Sequence, residues 1–293
     1  MGGVISTAKD LRSGGKKVGI GLRDPHYDEV FDQLDRIDFV EVHAENFYVE
    51  GGVARTLLHA LREQVDISVH ATSLGLGGEC PPPRTELRRL RKLVDDVQPI
   101  LVSEHACFTW GELDRGVFHS GDLLPIAYDE RTLARFARHV DTVQQYLGRQ
   151  LLIENISAYL HWPESRMREF EFLQRLCLRT GAGLLVDINN IYVNAVNAGE
   201  DTPLPMIRRI LAEIDPCWIG ELHLAGASQP RAVELMVDDH GDEVSEVVWA
   251  AYAHFLPSLG AVPTLIEWDT QLPPLERLLA QVDLARAMTQ VAP

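Results

Sequence analysis

The chain has 293 residues, 27 of them basic and 43 acidic, for a formal charge of −16 at pH 7. Apolar residues make up 46%, ample for a large core, and no low-complexity tract suggests disorder. So acidic a surface repels phosphate backbones, which argues against nucleic acid as a partner, and no apolar run nears the ~18 residues of a membrane span.

Residues 1–16 lack a hydrophobic signal core and read as a flexible leader, leaving 17–293 as one catalytic domain. Cys80, Cys107, Cys177 and Cys217 follow neither CxxC spacing nor a disulfide framework, and fit reduced thiols in a cytoplasmic protein. KKVGIGLR near 17–23 and IDFVEVHAEN at 37–46 read as the first two strands. Six more follow: DISVH, ILVSEH, LLIEN, GLLVDINN, CWIGELH and TLIEW. Between them lie helical patterns at 27–36, 53–64, 84–98, 130–147, 167–179, 204–213, 245–256 and 275–288. The fourth ends at Gly148, a plausible C-cap. Strands and helices alternating eight times are the cadence of a (β/α)8 TIM barrel. A doubly wound sheet would usually announce a glycine-rich phosphate loop, and SLGLGGE (73–79) lacks the strand–turn–helix setting for one. Residues 109–125 read as a long excursion over the barrel mouth.

The last six strands each end in a group able to hold a metal: His70, His105, Glu154, Asp187, His223 and Glu267. In a barrel these ends converge on one mouth. Taken singly, each has an ordinary explanation. A strand-end histidine is more often a hydrogen-bonded rim residue than a ligand, DINN looks like a capping turn, and VDDHG looks like an acidic surface turn. Together they are harder to dismiss, because strands this apolar would not tolerate several buried charges without a cation. With Asn190, Asp238 and His240 the set is all nitrogen and oxygen, which suits catalytic iron, manganese or zinc rather than a structural thiolate site. Nine donors exceed one ion's needs, and Glu154 is placed to bridge two.

The motifs GIGLRDPHY, VEVHAENFY, SVHATSLGLG, SEHACFTW, DLLPIAY, LLIENISAYL, LLVDINNIYVNAVN, ELHLAGA, DDHG and PTLIEWD together resemble the DUF692 family. These are the multinuclear non-haem iron-dependent oxidases, peptide-modifying enzymes like those of methanobactin biosynthesis. The resemblance runs from about Gly19 to Asp269 and implies a xylose-isomerase-like barrel. It implies two or three iron ions, with mixed valence open to them, and O2 as co-substrate. One ion would be held by His70, His105 and Glu154, the expected catalytic heart. A second would share Glu154 and take Asp187, His223 and Glu267, and a third would use Asn190, Asp238 and His240. Endonuclease IV has a histidine where Asn190 stands, and an amide oxygen is the poorer donor. The implied substrate is a cysteine-containing, ribosomally made precursor peptide, presented by a small partner protein.

Arg23, His26, His43, Asn46, Asn155 and Asp269 fall near strand ends as candidates for substrate contact or for supporting ligands. Arg23 suits a peptide carboxylate, or an ion pair with Asp24 or Glu41; His43 and Asp269 suit hydrogen bonds to ligands. Phe108, Trp110 and Trp268 are candidate cavity walls. The rival readings are an endonuclease IV-like zinc phosphoesterase, a metal-dependent sugar isomerase, and a non-enzymatic scaffold. The −16 charge opposes the first, the number of histidines the second, and the intact donor set the third.

Overall fold

Eight short parallel strands close on themselves in chain order: β1 (Val18–Gly21), β2 (Phe39–His43), β3 (Asp66–His70), β4 (Leu101–His105), β7 (Leu152–Glu154), β8 (Gly183–Asp187), β9 (Ile219–Leu224) and β10 (Thr264–Ile266). The seam is β1 against β10, with Val18 opposite Thr264. This computed structural model describes residues 15–114, 116–230 and 234–291, so the expected leader lies almost wholly outside the described residues. The expected TIM barrel is the fold.

Outside the barrel run α1 (Gly52–Arg62), α2 (Arg84–Val97), α3 (Glu130–Leu147), α4 (Glu169–Thr180), α5 (Ile188–Asn197), α6 (Pro203–Ala212), α7 (Glu246–Phe255) and α8 (Leu275–Val291). Their apolar faces pack on the strands. In α3, buried Leu133, Phe136, Val140 and Val143 recur three and four apart, as a helix covering a sheet requires. Asp129 caps its start by accepting from the Thr132 amide, and Gly148, at φ 64°, ends it in the left-handed conformation that glycine adopts without strain.

Three stretches differ from expectation. Residues 27–36 do not form an α-helix; 3-10 turns occupy Asp24–His26 and Val30–Arg36. Pro25 sits at the start, and Asp28, Glu29, Asp32 and Asp35 would repel along one helical surface. The excursion after β4 is not a loop but an antiparallel hairpin, β5 (Cys107–Leu113) and β6 (Gly116–Pro125). Beyond Asp187, the unexpected α5 begins at once, because the Asp187 side chain accepts from the Asn190 amide at 2.8 Å and caps it.

The lumen is layered. Its lower end is apolar, with Leu101, Leu152 and Leu185 packed together. Phe39 also fills space there, against Gly19, where a Cβ would lie 2.6 Å from the Phe39 ring. One step higher stand Glu41, Ser68, Ser103 and Glu221, all fully buried. Two residues further along the same strands come His43, His70, His105 and His223, at the C-terminal mouth.

Candidate metal centre

His70 Nε2 and His105 Nε2 lie 3.1 Å apart, and each faces the same Glu154 oxygen, Oε2, at 3.3 and 3.2 Å. Ligands held about 2.1 Å from one ion, at angles between octahedral and tetrahedral, lie about 3.0–3.4 Å from each other. The three atoms thus have the spacing of donors around one cation. His70 Nδ1 sits 2.7 Å from Ser103 Oγ, which occupies its other ring nitrogen and leaves Nε2 to face the centre.

The other Glu154 oxygen, Oε1, faces the opposite way, 3.7 Å from His223 Nδ1. That nitrogen is 2.9 Å from Glu267 Oε2, and donor atoms of Glu154, Asp187 and His223 all fall within 4.8 Å of one another. One carboxylate therefore addresses two donor groups. His240, held at φ 43° in the turn after β9, brings Nε2 to 2.9 Å from Asp238 Oδ1 and 3.8 Å from Asp187 Oδ2. It groups with Asp187 and Glu267. Asn190 gives its amide hydrogen to the Asn155 carbonyl at 2.9 Å, while its Oδ1 is buried without a hydrogen-bond partner among the described residues. Glu154 Oε2 and Asp187 Oδ2 are buried without a hydrogen-bond partner in the same way. Orphaned buried acceptors are costly, and so many aimed at one cavity fit a site for cations.

Burial first, with Asp187 and Glu267 nearby, drives the Glu154 carboxyl well above its usual range. Asp187 is pushed up to about 7 by burial, opposed by His240. Burial, then neighbouring histidines, keeps His70 neutral far below its ordinary value; His105 falls to about 4, again through burial. Burial opposes charge on His223 and His240 too. Yet Glu41 and Glu267 around the first, and Asp238 and Glu267 around the second, outweigh it and hold both imidazoliums well above normal. Those two rings in turn hold Glu267 well below the carboxylate range despite its burial.

The supporting residues are placed unequally. Buried Arg23 gives Nε to Asp269 Oδ1 at 2.7 Å and Nη2 to Glu267 Oε1 at 3.1 Å, rather than pairing with Asp24. Gly21 makes this possible, because a Cβ there would crowd the guanidinium at 3.2 Å. Asp269 also takes His240 Nδ1 at 3.0 Å, and His43 Nε2 lies 3.6 Å from Glu267. His26 is turned away from the mouth: its Nε2 meets the Pro273 carbonyl at 2.8 Å, because the 3-10 turn carries it back toward α8. Asn46 is exposed on the turn Ala44–Phe47 and does not line the cavity. Asn155 is a clamp between β7 and the end of β8, giving to the Asp187 carbonyl at 3.0 Å and accepting its amide at 2.9 Å. Of the aromatic candidates, Trp268 is buried, and Phe108 and Trp110 line a separate pocket beyond the hairpin.

The cavity above the donors is about 700 Å³ and is walled on one side by Thr109, His119, Gly121 and Leu123 of the hairpin, and on another by Ser157 and Tyr159. Sequence reasoning missed these, and also Glu41 and Glu221. A signal was present for the latter pair. Glu41-x-His43, Ser68-x-His70, Ser103-x-His105 and Glu221-x-His223 repeat a polar residue two before each strand-end histidine, the period of an inward-facing strand.

Solved structures similar in fold include endonuclease IV from Thermus thermophilus, with a TM-score of 0.59, 15% identity, and coverage of 94% of this chain and 99% of that one. A xylose isomerase domain containing protein from Salmonella typhimurium matches at TM-score 0.60 and 15% identity, over 99% of this chain and all of its own. Among sequences, a UPF0276 protein of Chromobacterium violaceum is 42% identical over 270 residues, 92% of this chain and 94% of that protein. Another from Rhizorhabdus wittichii is also 42% identical, over 272 residues and the same shares. A family model described as "RiPP precursor modification enzyme MbnB/TglH/ChrH" matches residues 17–290, from the first strand nearly to the end of α8. With near full-length matches on both counts, the chain belongs to that family of enzymes that modify ribosomally made precursor peptides.

Proposed function

We propose that this protein is a multinuclear iron-dependent oxidase that modifies cysteine in a ribosomally made precursor peptide, with O2 as co-substrate. The reading rests chiefly on one observation: an all nitrogen-and-oxygen donor cluster at the open mouth of a barrel whose family acts on such peptides. Bound ferrous iron would offer an open position to a substrate thiolate and supply electrons for reducing O2.

The chain's own residues prepare that chemistry. His70, His105 and Glu154 would hold one ion. Glu154 would bridge to a second, with Asp187, His223 and Glu267, and Asn190, Asp238 and His240 would hold a third. Among the described residues no cysteine lines the cavity, so the reacting sulfur would be the substrate's. Arg23 offsets the charge of Glu267 and Asp269 and fixes both carboxylates. Asp269 holds the ring of His240 in turn. The cavity admits a cysteine with its neighbouring residues, and the hairpin and Tyr159 narrow the approach of water.

A small partner protein would present the peptide. Supporting this, exposed apolar side chains gather on segments around the mouth: Leu113, Val117 and Phe118 on the hairpin, Tyr159, Leu160 and Trp162 after β7.

The test is anaerobic purification with elemental analysis, followed by O2 exposure with a cysteine-containing precursor encoded beside the gene, with and without the neighbouring gene's product. A mass change confined to a cysteine-bearing fragment is expected. Stoichiometric zinc together with cleavage of abasic DNA would replace this reading with the phosphoesterase one.

A further inference from the structure

Below the donor layer, Glu41 on β2 and His223 on β9 meet across the lumen, from strands that are not neighbours. Glu41 Oε1 lies 3.3 Å from His223 Nε2, and both residues are fully buried. The contact falls short of hydrogen-bond geometry, and neither atom has any hydrogen-bond partner among the described residues, so each is a buried polar atom facing the other. The second Glu41 oxygen accepts from Ser68 Oγ at 2.8 Å, which fixes the plane of the carboxylate. On the far side of the ring, His223 Nδ1 faces Glu267 Oε2 at 2.9 Å and Glu154 Oε1 at 3.7 Å.

A neutral imidazole has one N–H and one lone pair, so whatever holds the hydrogen decides which nitrogen can ligate. For His70 the floor contact is at Nδ1, through Ser103, and Nε2 faces the centre. For His223 the arrangement is reversed. We propose that Glu41 is a positioning residue: it accepts the Nε2 hydrogen of His223 and so turns the Nδ1 lone pair toward the ion served by Glu154 and Glu267. Ser68 acts one step behind it, holding Glu41. The inference rests on the reading of this site as a metal centre, but not on iron, O2 or a peptide substrate.

The carboxylate need not remain charged for this role; it must accept a hydrogen bond. An amide oxygen in its place does so, and a methyl group does not. That difference separates positioning from general charge compensation.

Metal-free protein is titrated anaerobically with ferrous iron, and separately with zinc, in competition with a chelator, for wild type, Glu41→Ala, Glu41→Gln and Ser68→Ala. Glu41→Ala should weaken one ion about 10- to 100-fold, the usual effect of losing a residue that orients a ligand, and leave the His70–His105–Glu154 ion unchanged. Glu41→Gln should recover most of that affinity, and Ser68→Ala should fall between. Unchanged affinity in Glu41→Ala, equal weakening of every ion, or no recovery with glutamine would overturn the proposal. A readout on wild-type protein needs no variant to fold. In zinc-loaded, ¹⁵N-histidine-labelled protein, the His223 ring should carry its hydrogen on Nε2, and a ring protonated on Nδ1 would overturn the proposal equally. Zinc binding that follows this pattern while iron is refused would sink the oxidase reading and leave the Glu41 inference standing.

Discussion

Loading the metal-free protein with cations should release protons, in a number set by the site's electrostatics. At pH 7, His223 and His240 are held well above their usual range by their carboxylate neighbours, so each would give up about one proton on becoming a ligand. Glu154, driven well above its usual range chiefly by burial, would add whatever proton it still holds. Asp187, at about 7, would contribute about half a proton. His70, His105 and Glu267 are already in their ligating forms and contribute none. The expected total is therefore more than about two protons per fully loaded site at pH 7. Calorimetric titration in several buffers of different ionisation enthalpy reads this number as a slope. Raising the pH should lower it, because Asp187, at about 7, is then ionised beforehand, and lowering it to 6 should raise it by about half a proton. Release of less than about one proton at pH 7 would refute the reasoning, since it would mean the donors ionise without a cation.

Arg23→Met removes the guanidinium that Glu267 and Asp269 share, and should cost the metal-free protein about 3 kcal/mol in chemical denaturation. A loss under about 1 kcal/mol would show that the pair is not what neutralises those carboxylates. Glu104 is raised to about 8 by burial, against hydrogen bonds from the His105 and Leu74 amides. Folded protein therefore keeps this proton to a higher pH than unfolded chain, and stability falls as pH climbs from about 4.5 to about 8. Glu104→Gln should remove that slope, while its amide nitrogen leaves one of the two backbone amides without an acceptor; stability that still falls with pH as in wild type would contradict it. At Gly226 a Cβ would lie 2.3 Å from the Asp242 carbonyl oxygen and 2.4 Å from that of Glu243. Gly226→Ala should therefore shift the turn bearing Asp238 and His240, cost about 2 kcal/mol or more, and weaken ion binding. Wild-type affinity in this variant would show that the turn repacks freely.

The barrel was legible because each strand is an apolar run of fitting length and each helix an amphipathic period, both local patterns. The donors were legible for a related reason: a charged residue at the end of an apolar strand contradicts its neighbours. What escaped was set by tertiary context. The hairpin strands carry Gly111, Gly116 and Gly121 and are largely exposed, so TWGELDRGVFHSGDLLP shows little of the apolar run that marked the other strands. The segment after Asp187 reads as a capping turn, and the helix it caps was hidden by the polar run NN. His26, Asn46 and Asn155 share their neighbourhoods with true cavity residues. Only the turn geometry sends His26 to Pro273, Asn46 to the surface and Asn155 between two strands. Arg23 could not be paired from sequence, since its partners lie 244 and 246 residues away.

The seam between β1 and β10 joins the two ends of the barrel in sequence, and Glu267 directly follows the last strand. A ribosome must therefore release nearly the whole chain before the full donor set can assemble. Closure of the barrel and completion of the donor set are thus one late event, set by the arrival of the last strand.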